Sequence, residues 1–239
     1  MILGLGPSVE AYLTLAKRLG GRSAYAEELW GINCLGDILR CDRVFHMDDV
    51  RVQEGRAAMN PEGNIAAMLR WLRTHPGPIY TSNPHPDYPG LVPFPLEALL
   101  NARLDGGHSP YFNSTAAYAI AFAVYLGVKR ISLFGIDYTL PNVHSGECGR
   151  ACCEYWLGVA SARGITITVP EQSSLLDACA PERELLYGYD MLDVTLSERA
   201  DGSLTALFAD RSDPPTAQEI ERRYDHTKHP NRLMKGEVA

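Results

Sequence analysis

The sequence predicts an α/β protein built on a largely parallel sheet. Three observations carry that expectation. Short apolar runs alternate with longer amphipathic ones as far as Asp177, glycines close several of the longer runs, and conspicuous polar residues fall just after the short ones. Residues 2–5, 28–32, 43–47, 78–81, 130–134 and 165–169 read as strands. Residues 9–18, 61–74, 114–126 and 149–162 read as helices.

Each element has a local reason. The first strand runs into "GLGPS", where Ser8 stands in position to cap the helix from Val9. Gly20 and Gly21, Gly127 and Gly164 follow helical stretches at the place where the chain takes positive φ. The helix over 114–126 is apolar nearly all round, so it should lie buried against the sheet. "HPGP", "NPHPDYPGLVPFP" and "LDGGHSP" are loops, the middle one rimming the site. "DVTLSERADGSLTALF" is a hairpin turning at Asp201 and Gly202, and "AQEIERRYDHTKHPNRLMKGEVA" is a surface helix with a basic tail. The expected organisation is a nucleotide-binding α/β domain over 1–190 and a hairpin and helix extension over 191–239.

At 239 residues, with 46% hydrophobic and 21% charged side chains, the chain can bury a substantial core. A formal charge of −7 argues against a surface that coats nucleic acid, which needs clustered Lys and Arg. "MILGLG" lacks the basic and apolar regions of a secretory leader, and "AAYAIAFAVYLG" is too short to span a bilayer. A cytoplasmic protein without a membrane span is expected. Six cysteines in a chain of this length do not form a disulfide framework and fit a reducing compartment.

Ligands of open α/β sheets bind outside the carboxyl ends of the strands. Gly4 and Gly6 would let a phosphate approach the backbone, and the helix amino end beyond Pro7 and Ser8 would offer N–H groups. A tight strand-to-helix turn explains the same glycines, since Val9 stands where the dinucleotide fingerprint has its third glycine and no P-loop lysine follows. Asn33, Asp48, Asp49 and Asp137 also follow predicted strands, where Asn and Asp serve equally as turn formers.

His144 opens three alternatives: an inert loop residue, a base, or a metal ligand with Cys148 and Cys152 at i+4 and i+8. Pro141, Ser145 and Gly146 place it in a loop ahead of the helix, and there is no CxxC pair or evident fourth ligand. The cysteines therefore read as buried small side chains, and no metal site is expected.

"LGLGPSVE", "STAAYAIAFAVYLGVKRISLFGIDY" and "HSGECGRACCEYWLGVASARGITITVPEQSSLLD" resemble, in order and spacing, the bacterial sialyltransferases that decorate lipooligosaccharide. They are also similar to the group holding motility accessory factors and archaeal hydroxymethylpterin diphosphokinases, including bacteriophage members. The resemblance implies a Rossmann-like sheet of the glycosyltransferase-A type, with helices on both faces and a nucleotide-activated donor. Gly4, Gly6, Pro7 and Ser8 match the family's phosphate turn, Asn33 its asparagine after the second strand, and Thr115 the small residue opening the buried helix. Gly135, Ile136 and Asp137 match its Gly-Ile-Asp, Ser173 and Ser174 the serine before paired leucines, and His144 its catalytic base. Thr139 replaces a phosphate-contacting tyrosine, with Tyr138 adjacent, and the loop before His144 is shorter. The likeness thus extends to nucleotide binding rather than to the sialic-acid donor.

The expected activity is an inverting glycosyl transfer from a nucleotide sugar to an acceptor hydroxyl, with His144 as base and no required cofactor. The acceptor is a glycan, a small molecule or a modified DNA base, and a homo-oligomer stays open. The competing readings are an ATP-dependent pyrophosphokinase with Mg²⁺ on Asp48 and Asp49, a phage enzyme that glycosylates hydroxymethylated DNA bases, and a non-catalytic nucleotide-binding protein.

Overall fold

A computed structural model describes residues 1–21, 25–107, 110–138, 143–180 and 192–210, with Leu185, Gln218 and Arg222; side chains at 143–145, 192–194 and 208–210 are outside the description. Contacts divide the chain into two units, 1–179 and 180–239.

The first unit is a seven-stranded sheet in which every pair of neighbours is parallel. The strands are β1 (Ile2–Leu3), β2 (Trp30–Ile32), β3 (Arg43–Phe45), β4 (Ile79–Thr81), β5 (Leu91–Pro93), β6 (Arg130–Phe134) and β7 (Thr166–Thr168). Their order is β5-β4-β3-β2-β1-β6-β7, so the chain fills one side of β1 and then returns to its other side. The helices are α1 (Val9–Leu19), α2 (Leu35–Ile38), α3 (Val50–Met59), α4 (Asn64–Thr74), α5 (Leu96–Asn101), α6 (Thr115–Tyr125) and α7 (Val143–Ala162).

Successive strand side chains point to opposite faces, which divides the core. Ile2, Trp30, Ile32, Phe45, Ile131 and Leu133 pack with α6 and α7. On the other face Leu3 and Phe134 meet Tyr12 of α1 and Leu35 of α2, while Val44, Ile79 and Leu91 meet Val50, Leu69 and Leu72 of α3 and α4. The Rossmann-like arrangement with helices on both faces is therefore present. Gly20, Gly127 and Gly164 have φ of 77°, 66° and 77°, as expected where helices end. Among the described residues no helix is long and apolar enough to cross a membrane.

Several elements differ from the sequence expectation. "LVP" within the presumed loop is strand β5; Pro93 is tolerated because β5 lies at the sheet edge and pairs only with β4. Helix α3 escaped notice because it buries only Val50 and Gln53 and so carries little apolar periodicity; Asp49 caps it, accepting from Arg51 N at 2.8 Å. The short helices α2 and α5 were also not expected. Helix α7 starts at Val143 rather than 149, which moves His144 from a loop into the first helical turn. Pro141, Ser145 and Gly146 suggested a late start; within the longer helix it is Gly149 that serves packing, since a methyl group there would stand 2.6 Å from Tyr138 Cε1.

In the second unit β8 (Leu192–Glu198) pairs antiparallel with β9 (Leu204–Asp210), and Gly202 takes φ 81° in the expected turn. Apart from Gln218 and Arg222, the expected C-terminal helix and basic tail lie outside the described residues.

Candidate functional site

The chain reverses its direction of travel across the sheet between β1 and β6, and their carboxyl ends bring most of the sequence-predicted residues together. Leu3 and Phe134 are partners in the ladder, and just past them Gly4 N donates to Phe134 O and Gly6 N to Gly135 O, both at 2.8 Å. A methyl group at Gly4 would collide with the carbonyl oxygen of Gly135, and one at Gly135, where φ is 67°, with that of Gly4. These glycines exist so that two backbones can touch.

Ser8 is buried directly above them. Its Oγ accepts from Gly135 N at 2.7 Å and donates to Asp137 Oδ1 at 2.9 Å, while its N–H donates to Asp137 Oδ2 at 2.7 Å. Buried Ser173, arriving after β7, donates its hydroxyl to the same Oδ1. The Asp137 carboxylate thus fills the anion position at the amino end of α1. This corrects two expectations. Gly6 and Ser8 N–H groups are committed within the protein, and the Ser8 side chain makes no capping bond to α1.

Tyr138, next to Asp137, is tied down on all sides. Its N–H donates to Ser174 Oγ at 3.1 Å, and its hydroxyl lies 3.0 Å from both Ser114 Oγ and Cys153 Sγ. Burial pushes the Tyr138 hydroxyl well above its ordinary range and the Cys153 thiol up to about 11, so both stay protonated near neutral pH. Ser114 caps α6 by accepting from Ala117 N, which sets Thr115 in the first turn beside this cluster. Arg150 pairs with Glu154 and Asp177 at 2.7 Å each, holding the short turn Leu175–Asp177, and with it Ser173 and Ser174, against α7.

The helix now includes His144, so the face shared with Cys148 and Cys152 is continuous in the backbone, while the His144 side chain lies outside the described residues. Cys152 is spent on protein partners: its thiol donates to Tyr111 O at 3.0 Å and accepts from Asn113 N at 3.2 Å. No group of three or more potential metal ligands occurs among the described residues.

A second cluster lies at the ends of β2, β3 and β4. Asn33 Oδ1 is 3.2 Å from His46 Nδ1. Asp48 is exposed at the rim, whereas Asp49 is taken up by Arg51 N and by Asn83 Nδ2 at 3.2 Å. His46, which is fully buried, was not among the residues expected at the site. The only signal was a histidine inside the apolar run "RVFHM", where a charged side chain would be unwelcome.

Burial lowers the proton affinity of His46 against a smaller opposing pull from Asp48, and burial likewise lowers that of His75, whose Nδ1 accepts from Gly77 N at 3.0 Å. The unfolded chain therefore binds more protons at these sites, so their contribution to stability is complete above the ordinary histidine range, about pH 6.5, and is lost as pH falls below it. Thermal unfolding should show a melting temperature that declines from about pH 7 to about pH 5, with a smaller decline in His46→Asn. A wild-type melting temperature flat across that interval would contradict this account.

Two concavities among the described residues lie elsewhere. A cleft of about 700 Å³ sits at the amino ends of the strands, lined by Glu28, Trp30, Lys129 and Arg130 among others. Another of about 490 Å³ is lined by Leu99, Leu100, Phe112 and Trp156 beside α5 and α7. Neither contains a sequence-predicted site residue. Topology weighs more than cavity size here, because helix amino ends and strand-end polar groups converge only on the carboxyl edge. No protein-family model, curated protein or solved structure matches the chain.

Proposed function

We propose that the protein is a transferase acting on a nucleotide-activated donor, an inverting glycosyltransferase in which His144 is the base. The observation that supports this reading is the reversal between β1 and β6, the position where open α/β sheets bind ligands. With the amino end of α1 filled by Asp137, the donor phosphates fall to Asn33, to Thr115 at the amino end of α6, and to the Ser174 hydroxyl. That hydroxyl accepts from Tyr138 N and keeps its own hydrogen to donate. Gly4, Gly6, Ser8, Asp137 and Ser173 shape the floor beneath the donor.

In the reaction His144 takes the proton of an acceptor hydroxyl as its oxygen forms a bond to the anomeric carbon. The bond from that carbon to the nucleotide phosphate breaks on the opposite side, and the nucleotide leaves with the electron pair. The pyrophosphokinase reading is less well supported, since Asp49 is already committed as a helix cap and Asp48 alone remains at the rim.

The test is incubation with UDP-, GDP-, ADP- and CMP-linked sugars, and separately with ATP and Mg²⁺, followed by mass spectrometry. Release of nucleotide from a sugar donor, with water in place of the acceptor hydroxyl, is expected, rising with pH through the histidine range. His144→Ala should bind that donor within a few-fold of wild type yet turn it over about 10²-fold more slowly. AMP formed from ATP would instead indicate diphosphate transfer, and wild-type turnover in His144→Ala would remove the histidine from the mechanism.

A further inference from the structure

We propose that His46 is the positioning residue that turns the Asn33 amide into a fixed pair of N–H donors for a nucleotide phosphate. The proposal rests on the reading that the carboxyl edge holds a nucleotide.

The pair is built into the sheet. Ile32 and Phe45 are ladder partners, Asn33 N donates to Phe45 O at 2.8 Å, and His46 N donates to Tyr80 O at 2.9 Å. Both backbones are pinned before either side chain is considered. Asn33 has φ 52°, a left-handed conformation that asparagine tolerates better than most residues, and it is half-buried. Its Oδ1 faces His46 Nδ1, so the imidazole must carry its hydrogen on Nδ1 to donate there. Asn33 Nδ2, with two hydrogens, has no partner among the described residues. Oxygen held behind and N–H groups free in front is the orientation an anionic oxygen requires.

The rear of the imidazole carries the second observation. His46 Nε2 is buried without a partner among the described residues, and so are Thr81 Oγ1 and Gln53 Oε1. His46 and Thr81 follow a ladder pair, Phe45 and Tyr80, and so stand side by side on one face of the sheet. Gln53 lies one turn beyond Val50 on the buried side of α3, which packs on that face. Two acceptors and a hydroxyl match a single water that donates to His46 Nε2 and Gln53 Oε1 and accepts from Thr81. With Nε2 bare, as the Asn33 contact requires, such a water satisfies all three groups. Asp48 is the charged group that acts on His46; Asn33, Thr81 and Gln53 are neutral.

Two measurements on the full chain test the proposal. Nitrogen-15 NMR of the His46 ring should show hydrogen on Nδ1 and a bare Nε2 from pH 5 to 8; the opposite tautomer, or protonation within that interval, would overturn it. Calorimetric titration with UDP, GDP, ADP and CDP should show the tightest of them weakened about 10-fold in His46→Leu and in Asn33→Ala, with no further loss in the double variant. His46→Asn, whose amide can replace the Nδ1 donor, should recover to within about 3-fold of wild type. Additive losses, or unchanged affinity in a folded His46→Leu, would overturn the proposal. If the wild type binds none of the four, the nucleotide reading fails and the task assigned to Asn33 fails with it, while the ring tautomer still decides the His46–Asn33 bond.

Discussion

Asp137→Ala is expected to lower the unfolding free energy by about 3 kcal/mol, because three donors lose one charged acceptor together. Ser8 N, Ser8 Oγ and Ser173 Oγ all point at the Asp137 carboxylate, and both serines are buried. A hydroxyl can turn in search of another partner, but the Ser8 N–H is fixed by the backbone at the head of α1. Asp137→Asn separates the contributions: its single carbonyl oxygen can serve one side of the clasp while its amide hydrogens oppose a donor on the other. An intermediate loss is expected. Urea unfolding of the three proteins checks this, and a loss below about 1 kcal/mol in Asp137→Ala would show that the clasp does not hold β1, β6 and the segment after β7 together.

Gly135→Ala should be comparably damaging, for a different reason. The substitution adds a left-handed conformation, costing about 1 kcal/mol, to a collision with the Gly4 carbonyl that costs about 1–3 kcal/mol more. Gly20→Ala isolates the first cost: Gly20 has a similar φ of 77°, and nothing lies within 4 Å of where its methyl group would stand. The expected result is a loss of about 1 kcal/mol at Gly20 and about 3 kcal/mol at Gly135. Equal losses would mean that the two backbones separate easily. Gly6→Val belongs with Gly135, since a β-carbon at Gly6 would stand 2.6 Å from Asp137 Oδ2. Any ligand-binding defect in that variant has to be read against its stability.

The parts of the site that were legible in the sequence are those marked by backbone chemistry. Gly4 and Gly6 announce a close approach, and Asn33 and Asp137 follow apolar runs and so sit at strand ends. What they approach was not legible. A glycine turn ahead of a helix has the same local pattern whether it receives a phosphate or a carboxylate from residue 137, and the two acids differ only in where the chain folds. His46 was missed for the complementary reason: with no periodicity or motif around it, a buried histidine becomes conspicuous only when its neighbours are known. His144 was placed in a loop by Pro141, Ser145 and Gly146, which disfavour a helix locally, whereas the helix runs from Val143 and its Gly149 admits the ring of Tyr138.

By itself the sequence determined the parallel α/β class, most of the strands, the buried character of α6 and the helix-ending glycines, because each depends on residues within a turn or two of one another. Only the tertiary structure decided that Asp137 closes the first turn, that Tyr138 locks α7, and that His46 stands behind Asn33. Each of these depends on the register of strands separated by many residues in the chain: Leu3 beside Phe134, Ile32 beside Phe45 and Phe45 beside Tyr80. Register is a property of the assembled sheet, set by burying all its apolar faces at once, and no local stretch carries it.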